Sequence, residues 1–308
     1  MHVPVRCVLT LGAVALLACY QDDVAAPRET GLATVLLTDA GFPFDLVDRV
    51  EVYVSEIAAS TDADTSEVQE WVPITRPKRA FDLLGVQQGK TALAGRGDLP
   101  VGSYRMVRVS LVGDSSHVIM HDGREAAVRW PVAGEFSLHA WVPEPVMVAD
   151  TGAEIVIDID VGRSFVRVLG DPMYDFVFLA HLRAVNSAAT GALSGSVTGD
   201  ADGDGTAEPL AYASVSVIKG DAVTLAPWFV VATGHTTTEG AYRIGFLLPG
   251  TYLVQVDPPS SAALASETRP AVRIERGQVT TWSTILTTPG PAESRIESEA
   301  LTSTAIWR

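Results

Sequence analysis

Apolar and polar side chains alternate with a period of two residues along most of this chain of 308 residues. The alternation is clearest in residues 50–55, 106–111 and 154–161. Such a run turns one apolar face inward and one mixed face outward, as half-buried antiparallel strands do. Turn signals containing Gly or Pro separate the runs, and they lie at residues 41–43, 99–102, 122–123 and 169–172. The pattern predicts an all-β fold of two tandem antiparallel β-sandwich domains, Ig-like or prealbumin-like.

The chain length favours two domains, and one segment offers a boundary between them. Residues 187–192 are small and polar, which predicts a linker between a first unit (31–186) and a second unit (193–286). A long loop within one domain would have the same composition. Residues 287–308 predict a flexible C-terminal tail. Residues 81–85 and the tail are the only helical candidates.

The N-terminal residues predict export. Arg6 precedes an apolar run, 7–17, that is shorter than the roughly 20 residues needed to cross a bilayer and fits a signal peptide. The run ends in Leu-Leu-Ala-Cys19, which resembles the lipobox of bacterial lipoproteins. In that family, cleavage leaves a diacylated cysteine at the N-terminus. The resemblance implies a signal peptide (1–18), a lipidated Cys19 and a tether (19–30). An ordinary signal peptide ending near a cysteine is the alternative.

Charge and cysteine content exclude several classes of function. The formal net charge is −15, which disfavours nucleic acid and anionic lipid headgroups as partners, so the acyl group must hold the chain to the membrane. The only cysteines are Cys7 and Cys19. Since Cys7 leaves with the signal peptide and Cys19 is acylated, the mature chain has no disulfide, thiolate metal site or cysteine nucleophile.

The second unit carries the more specific family resemblance. Its characteristic segments are 193–197, 209–217, 238–244 and 248–254. Together they resemble a carboxypeptidase regulatory-like domain, which is a β-sandwich of the transthyretin type. Such domains are usually non-catalytic modules, so the resemblance implies a fold and no reaction.

The first unit resembles the family called domain of unknown function 4382, which is common in bacterial lipoproteins. The matching segments are 31–40, 50–60, 81–84, 99–108 and a closing strand at 176–185. The resemblance implies a β-sandwich in a lipoprotein and names no activity.

The histidines do not form a catalytic or metal-binding pattern. His117 and His121 have the spacing that chelates zinc on a helix, but on a strand they would stand about 13 Å apart. We interpret them as surface residues near a turn, and His139, His181 and His235 as partly buried side chains. No nucleophile elbow or glycine-rich phosphate loop occurs. The sequence therefore predicts that the protein is not an enzyme.

One acidic loop is a candidate metal site. It places Asp200, Asp202, Asp204 and Glu208 at alternate positions around glycines, a pattern that suits calcium. The order of strand, acidic loop and strand is similar to calcium-binding B-type repeats of bacterial surface proteins. Ala211 stands where a helical calcium loop needs a bidentate glutamate. The alternative is a solvated hairpin loop that binds no metal. Calcium is the only cofactor that the sequence suggests.

These observations predict a non-catalytic, lipid-anchored protein of the bacterial cell envelope, at the outer membrane or cell surface, that acts as a binding, adhesion or scaffolding module. Its partners would be the membrane, through the anchor, and an envelope protein or polysaccharide. One alternative is a glycan- or calcium-dependent ligand-binding lipoprotein, since five tryptophans could stack on sugars. They are Trp71, Trp130, Trp141, Trp228 and Trp282. A second is an accessory subunit of an envelope enzyme, which would need Asp158 and Asp160 in a cleft.

Overall fold

Strands dominate the computed structural model, which describes residues 29–39, 47–62, 70–221, 223–225 and 227–289. The buried apolar side chains form two separate clusters, one drawn from residues 33–184 and one from residues 193–286. Each cluster lies within a set of β-sheets, so the prediction of an all-β fold is confirmed. We call residues 29–189 the N-terminal unit and residues 190–289 the C-terminal unit.

The first sheet of the N-terminal unit has the order β14-β11-β1-β5. Its strands are β1 (Thr30–Thr38), β5 (Ala92–Pro100), β11 (Ala153–Ile159) and β14 (Leu182–Asn186). β1 and β11 run parallel, which differs from the antiparallel prediction. A parallel pair needs a long crossover, and here the chain builds the second sheet between the two strands.

The second sheet has the order β10-β6-β2-β7-β8, with β3 and β4 also pairing with β2. Its strands are β2 (Val47–Ser60), β3 (Val72–Thr75), β4 (Arg79–Asp82), β6 (Gly102–Val112), β7 (His117–Met120), β8 (Glu125–Ala126) and β10 (Glu135–Val148). The alternation predicted in β2 is confirmed, because Val50, Val52 and Val54 are completely buried.

A small third sheet and an aromatic cluster close one end of this core. The sheet contains β9 (Val128–Arg129), β12 (Phe165–Arg167) and β13 (Phe176–Phe178), and the four-residue helix α1 (Val161–Ser164) precedes β12. The rings of Trp130, Phe165 and Phe178 pack with centroids 5.0 to 5.8 Å apart.

Two local predictions for the N-terminal unit differ from the structure. The predicted strand 176–185 is split into β13 and β14, because Leu179 and His181 donate backbone hydrogen bonds to Ser164 instead of continuing a ladder. The helical candidate at 81–85 is the end of β4 followed by a 3-10 turn, Leu84–Val86, which begins where Asp82 accepts a hydrogen bond from the backbone of Leu84.

The C-terminal unit consists of two facing layers of strands. One contains β15 (Gly191–Gly199), β16 (Glu208–Pro209), β19 (Ala241–Leu247), β22 (Val279–Thr281) and β23 (Thr284–Leu286). The other has the order β18-β17-β20-β21, with β17 (Ser214–Gly220), β18 (Pro227–His235), β20 (Gly250–Asp257) and β21 (Glu267–Ile274). β22 and β23 pair with β15 in parallel. Gly195 permits this approach, since a Cβ there would lie 1.6 Å from the carbonyl oxygen of Trp282.

The segment predicted to be a linker, 187–192, is packed against the C-terminal unit. Ser187–Ala189 form a 3-10 turn, and β15 begins at Gly191. Ala189 is 3% exposed, and a Cβ at Gly191 would lie 2.2 Å from the carbonyl oxygen of Glu275. Small residues are therefore required here by close packing rather than by flexibility.

Several predicted segments lie outside the described residues: the signal peptide, Cys19, most of the tether and the tail beyond residue 289. In the described part of the chain, no helix is long and apolar enough to cross a membrane.

Candidate functional site

The two units meet at an ion pair that the first sheet of the N-terminal unit positions. Asp158 on β11 and Arg183 on β14 are cross-strand partners, and the Nε and Nη2 atoms of Arg183 lie 2.7 and 2.6 Å from Oδ2 of Asp158. The same guanidinium donates to the carbonyl oxygens of Phe246 (2.5 Å) and Gly245 (3.1 Å) on β19. Arg183 thus joins a buried carboxylate to the backbone of the other unit.

A second carboxylate links the units through a helix cap. Oδ1 of Asp160 accepts a hydrogen bond from the backbone N–H of Arg163 in α1 (3.0 Å). Its Oδ2 accepts a hydrogen bond from the hydroxyl group of Thr233 on β18 (2.9 Å). Burial raises the pKa of Asp160, and the nearby charge of Asp158 raises it further.

Asp39 lies beneath this junction, at the end of β1. Burial raises its pKa well above the ordinary value, against the lowering effect of the Val161 backbone N–H, which donates to it at 2.9 Å. The charges of Asp158 and Asp160 also raise it. Three acidic side chains therefore sit close together where the units meet.

Gln88 forms a further bridge from the 3-10 turn region of the N-terminal unit. Its amide nitrogen donates to the carbonyl oxygen of His235 (2.6 Å), and its amide oxygen accepts from the backbone of Arg243 (2.7 Å). Gln88 has φ 60°, a left-handed conformation that projects its side chain out of the turn. Together with Asp160 and Arg183, it holds the two units in one arrangement.

A cleft of about 370 Å³ lies beside this junction and is lined by both units. Trp141 and His181 contribute from the N-terminal unit, and Phe229 and Val230 contribute from the C-terminal unit. Its volume falls within the range of ligand-binding pockets, roughly 300–1,000 Å³. It is therefore large enough for a small molecule or one unit of a polymer.

The polar groups that line the cleft are only partly paired. Oδ1 of Asp158 is buried and has no hydrogen-bond partner. Nδ1 of His181 lies 2.9 Å from the carbonyl oxygen of Leu179, and because a carbonyl can only accept, Nε2 of the neutral ring is left as an acceptor. Nη1 of Arg163 makes a long bond of 3.4 Å to the carbonyl oxygen of Val230. The cleft thus offers an imidazole acceptor and a guanidinium donor, whereas the unpaired Asp158 oxygen is buried.

The predicted sugar-stacking tryptophans have different environments. Trp71 stacks on His139 at 5.1 Å, Trp130 lies in the aromatic cluster, and Trp282 packs against the second core. Trp141 is 43% exposed in the cleft, and Trp228 is 68% exposed outside it. Trp141 thus combines an exposed ring with neighbouring polar groups in the cleft.

The remaining histidines have separate surroundings. Nδ1 of His117 lies 2.6 Å from Glu125, and Nδ1 of His121 lies 3.8 Å from Asp48, so the two contact different carboxylates. His235 is buried at the end of β18, and neither of its ring nitrogens has a partner. Burial lowers its pKa to about 4.

The acidic loop brings together three of the four predicted calcium ligands. Carboxylate oxygens of Asp200, Asp202 and Asp204 lie within 4.8 Å of one another. Glu208 is outside this group because it begins β16 and pairs with Gly199. Both oxygens of Asp200 accept backbone hydrogen bonds within the loop. Calcium binding by the four residues stays a prediction, and the structure brings three of them together.

Sequence reasoning missed the junction. Asp39, Gln88 and Arg183 were not singled out, and Asp158 and Asp160 were considered only as a catalytic pair. One signal was available in the sequence. Asp158 and Asp160 stand two positions apart in a segment rich in isoleucine. Each such carboxylate needs either water or a partner from elsewhere in the chain.

Comparison with known proteins identifies the first unit. Residues 30–177 match the family model "Domain of unknown function (DUF4382)". The match covers 148 of the 308 residues. It includes the strands that carry Asp39 and Asp158, whereas Arg183 and the C-terminal unit lie beyond the matched residues. A search of curated proteins found no match.

Several solved structures show a low similarity to this chain. The Bacillus anthracis TIE protein is 12% identical, with a TM-score of 0.22, over 84% of this chain and 34% of that one, so this chain spans about a third of its length. The minor pilin GBS52 of Streptococcus agalactiae is 13% identical over 84% of this chain and 98% of that one, with a TM-score of 0.24. BcpA, the major pilin subunit of Bacillus cereus, is 8% identical over 85% and 71%, with a TM-score of 0.25. Similarities of this size say nothing about what the chain binds.

Proposed function

We propose that this protein is a non-catalytic, lipid-anchored binding module of the bacterial cell envelope, and that its ligand occupies the cleft between the two units. The observation that carries the proposal is the cleft itself, which residues of both units line and in which an exposed tryptophan, Trp141, lies beside polar side chains. Sites between domains are a preferred place for ligand binding.

The engagement of the carboxylates supports a binding role rather than a catalytic one. Both oxygens of Asp160 accept hydrogen bonds from the protein, and Oδ2 of Asp158 pairs with Arg183. A general acid or base must reach the proton that it transfers. Here these carboxylates join the two units, and their one unpaired oxygen, Oδ1 of Asp158, is buried.

The anchor rests on the N-terminal sequence, in which Leu-Leu-Ala precedes Cys19. We expect Cys19 to carry the lipid and residues 20–30 to connect it to β1. Cys19→Ser should move the protein out of the membrane fraction or leave the precursor uncleaved. Mass spectrometry of the protein from its native host should find acylated Cys19 at the N-terminus, and an unmodified thiol there would contradict the anchor.

Filling the cleft tests the binding role. Ala180 is exposed and lines the cleft, so Ala180→Trp should place an indole in the space that the ligand needs. Ala133 is exposed and lies outside the cleft, so Ala133→Trp is the matched control. The test measures retention of the chain, made without residues 1–18 and with Cys19→Ser, on isolated envelope polysaccharide and envelope protein fractions. If both variants are retained as well as the chain that has the unmodified cleft, the proposal is contradicted.

A further inference from the structure

We propose that the cleft binds a neutral sugar ring of a glycan, with one face of the ring against Trp141 and its hydroxyl groups hydrogen-bonded to His181 and Arg163. This inference rests on the proposed function and names the class of ligand. Three properties of the cleft support it: its charge, its hydrogen-bonding groups and its aromatic walls.

The charged groups of the cleft favour a neutral ligand. Two carboxylates, Asp158 and Asp160, and two guanidiniums, Arg163 and Arg183, line it, so their formal charges cancel. An anionic ligand would meet the carboxylates, and a cationic ligand would meet the guanidiniums. Arg105 also lies 5.9 Å from the ring centroid of Trp141, which disfavours a second cation at that ring.

The hydrogen-bonding groups favour a ligand that both donates and accepts. In a neutral imidazole, Nε2 of His181 accepts, because Nδ1 faces the carbonyl oxygen of Leu179. The Arg163 guanidinium can only donate. A hydroxyl group does both, and a sugar ring presents several hydroxyls at fixed angles. A purely apolar ligand would displace water from His181 and Arg163 without replacing its hydrogen bonds, which costs free energy.

The walls of the cleft supply an apolar surface for the ring itself. Trp141 on β10 is 43% exposed and Phe229 on β18 is 59% exposed, so the two units each contribute an aromatic side chain. The C–H bonds on one face of a pyranose ring form an apolar patch that suits an aromatic ring. A ligand with an apolar face and a polar edge matches this arrangement.

The experiment is a calorimetric titration of the chain, made without residues 1–18 and with Cys19→Ser. The ligands are glucose, galactose, mannose and N-acetylglucosamine, each as monosaccharide and as short oligosaccharide. Glucuronic acid and glucosamine are the charged controls, because they keep the ring and add one charge. We expect at least one neutral saccharide to bind and its charged analogues to bind more weakly. Binding by none, or equal binding by the charged analogues, would overturn the inference.

Variants then locate the binding. Trp141→Ala should weaken the affinity by roughly two- to tenfold, the range expected for loss of one aromatic contact. Trp228→Ala is the control, since this ring is more exposed and lies outside the cleft. Ala180→Trp should abolish binding. Unchanged affinity in both Trp141→Ala and Ala180→Trp would place the sugar elsewhere and overturn the inference.

The same variants separate this inference from the proposed function. If Ala180→Trp blocks retention on envelope material and no saccharide competes for that retention, the cleft is a binding site for another class of ligand. The proposed function would then stand and the sugar inference would fail. If Ala180→Trp has no effect on retention or on saccharide binding, both fail.

Discussion

Single buried residues at the junction carry much of the physical chemistry of this protein. Arg183 satisfies one carboxylate and two backbone carbonyl groups of the other unit, and its side chain is 21% exposed. His235 contrasts with it, since it is buried without any partner for its ring. The first should contribute stability through its contacts, and the second should make stability depend on pH.

Removal of Arg183 should be strongly destabilising. Arg183→Met leaves the charge of Asp158 buried and unpaired, which should lower the free energy of unfolding by about 3–5 kcal/mol. Arg76 is the control, because it lies 2.8 Å from Glu56 with its side chain 57% exposed, so Arg76→Met should cost about 1 kcal/mol or less. Urea denaturation measures both. Equal effects would show that the Asp158–Arg183 pair does not stabilise the junction.

The fold should be more stable above pH 6.5, the pKa of His235 in the unfolded chain, than at lower pH, because the side chain is then neutral in both states. Since burial lowers the folded pKa to about 4, this stability is lost as the pH falls from 6.5 toward 4. The loss should reach about 3 kcal/mol. His235→Phe should remove this dependence, because the ring nitrogens make no hydrogen bonds.

The measurement is the difference in unfolding free energy between the two proteins at pH 7.5 and at pH 4.5. Asp39 and Asp160 have raised pKa values and contribute with the opposite sign, gaining stability as the pH falls, but they cancel in this difference. A difference that stays constant with pH would contradict the assignment.

At the scale of elements, the alternating pattern predicted the positions of strands such as β2 and β11. It did not predict that β11 is buried on both faces. In β2 the inward residues are the alternating valines, as predicted. In β11, Ile155 and Ile157 are inward as predicted, but Val156 and Asp158 on the other face are buried too. That face is covered by contacts with residues distant in the chain, and the period of one strand contains no information about them.

The acidic loop between β15 and β16 offers a test at the same scale. Calcium should raise the midpoint of thermal unfolding, because an ion bound to the folded state stabilises it by mass action. Asp202→Asn combined with Asp204→Asn should abolish the rise. Glu208→Gln should leave it, since Glu208 lies outside the carboxylate group. An unchanged midpoint in millimolar calcium would mean that the loop is a solvated hairpin.

At the scale of the whole molecule, the chain contains two separate buried clusters, and the segment between them is packed more closely than the sequence indicates. The boundary residues 187–192 have the composition of a linker, yet their small side chains serve close packing. The junction residues lie as far apart in sequence as Gln88 and Arg243, so one sequence alone does not indicate that they meet.

Limited proteolysis should distinguish a packed connection from a flexible one. Because Ala189 and Thr190 are buried and Gly191 pairs in β15, we expect no cleavage within 187–192 while the protein is folded. Arg183→Met should increase cleavage there by weakening the junction. Rapid cleavage of the unmodified protein at 187–192, giving two stable fragments, would contradict the packed connection.

The position of β1 in its sheet has a mechanical consequence. β1 is the first described strand after the predicted anchor, and it lies between β11 on one side and β5 on the other. When a ligand held by the protein is pulled away from the membrane, the tension enters the fold at the start of β1 and acts along that strand. The hydrogen bonds to both neighbours then share the load at once instead of opening one after another, so the strand nearest the anchor is also one that resists extraction by force.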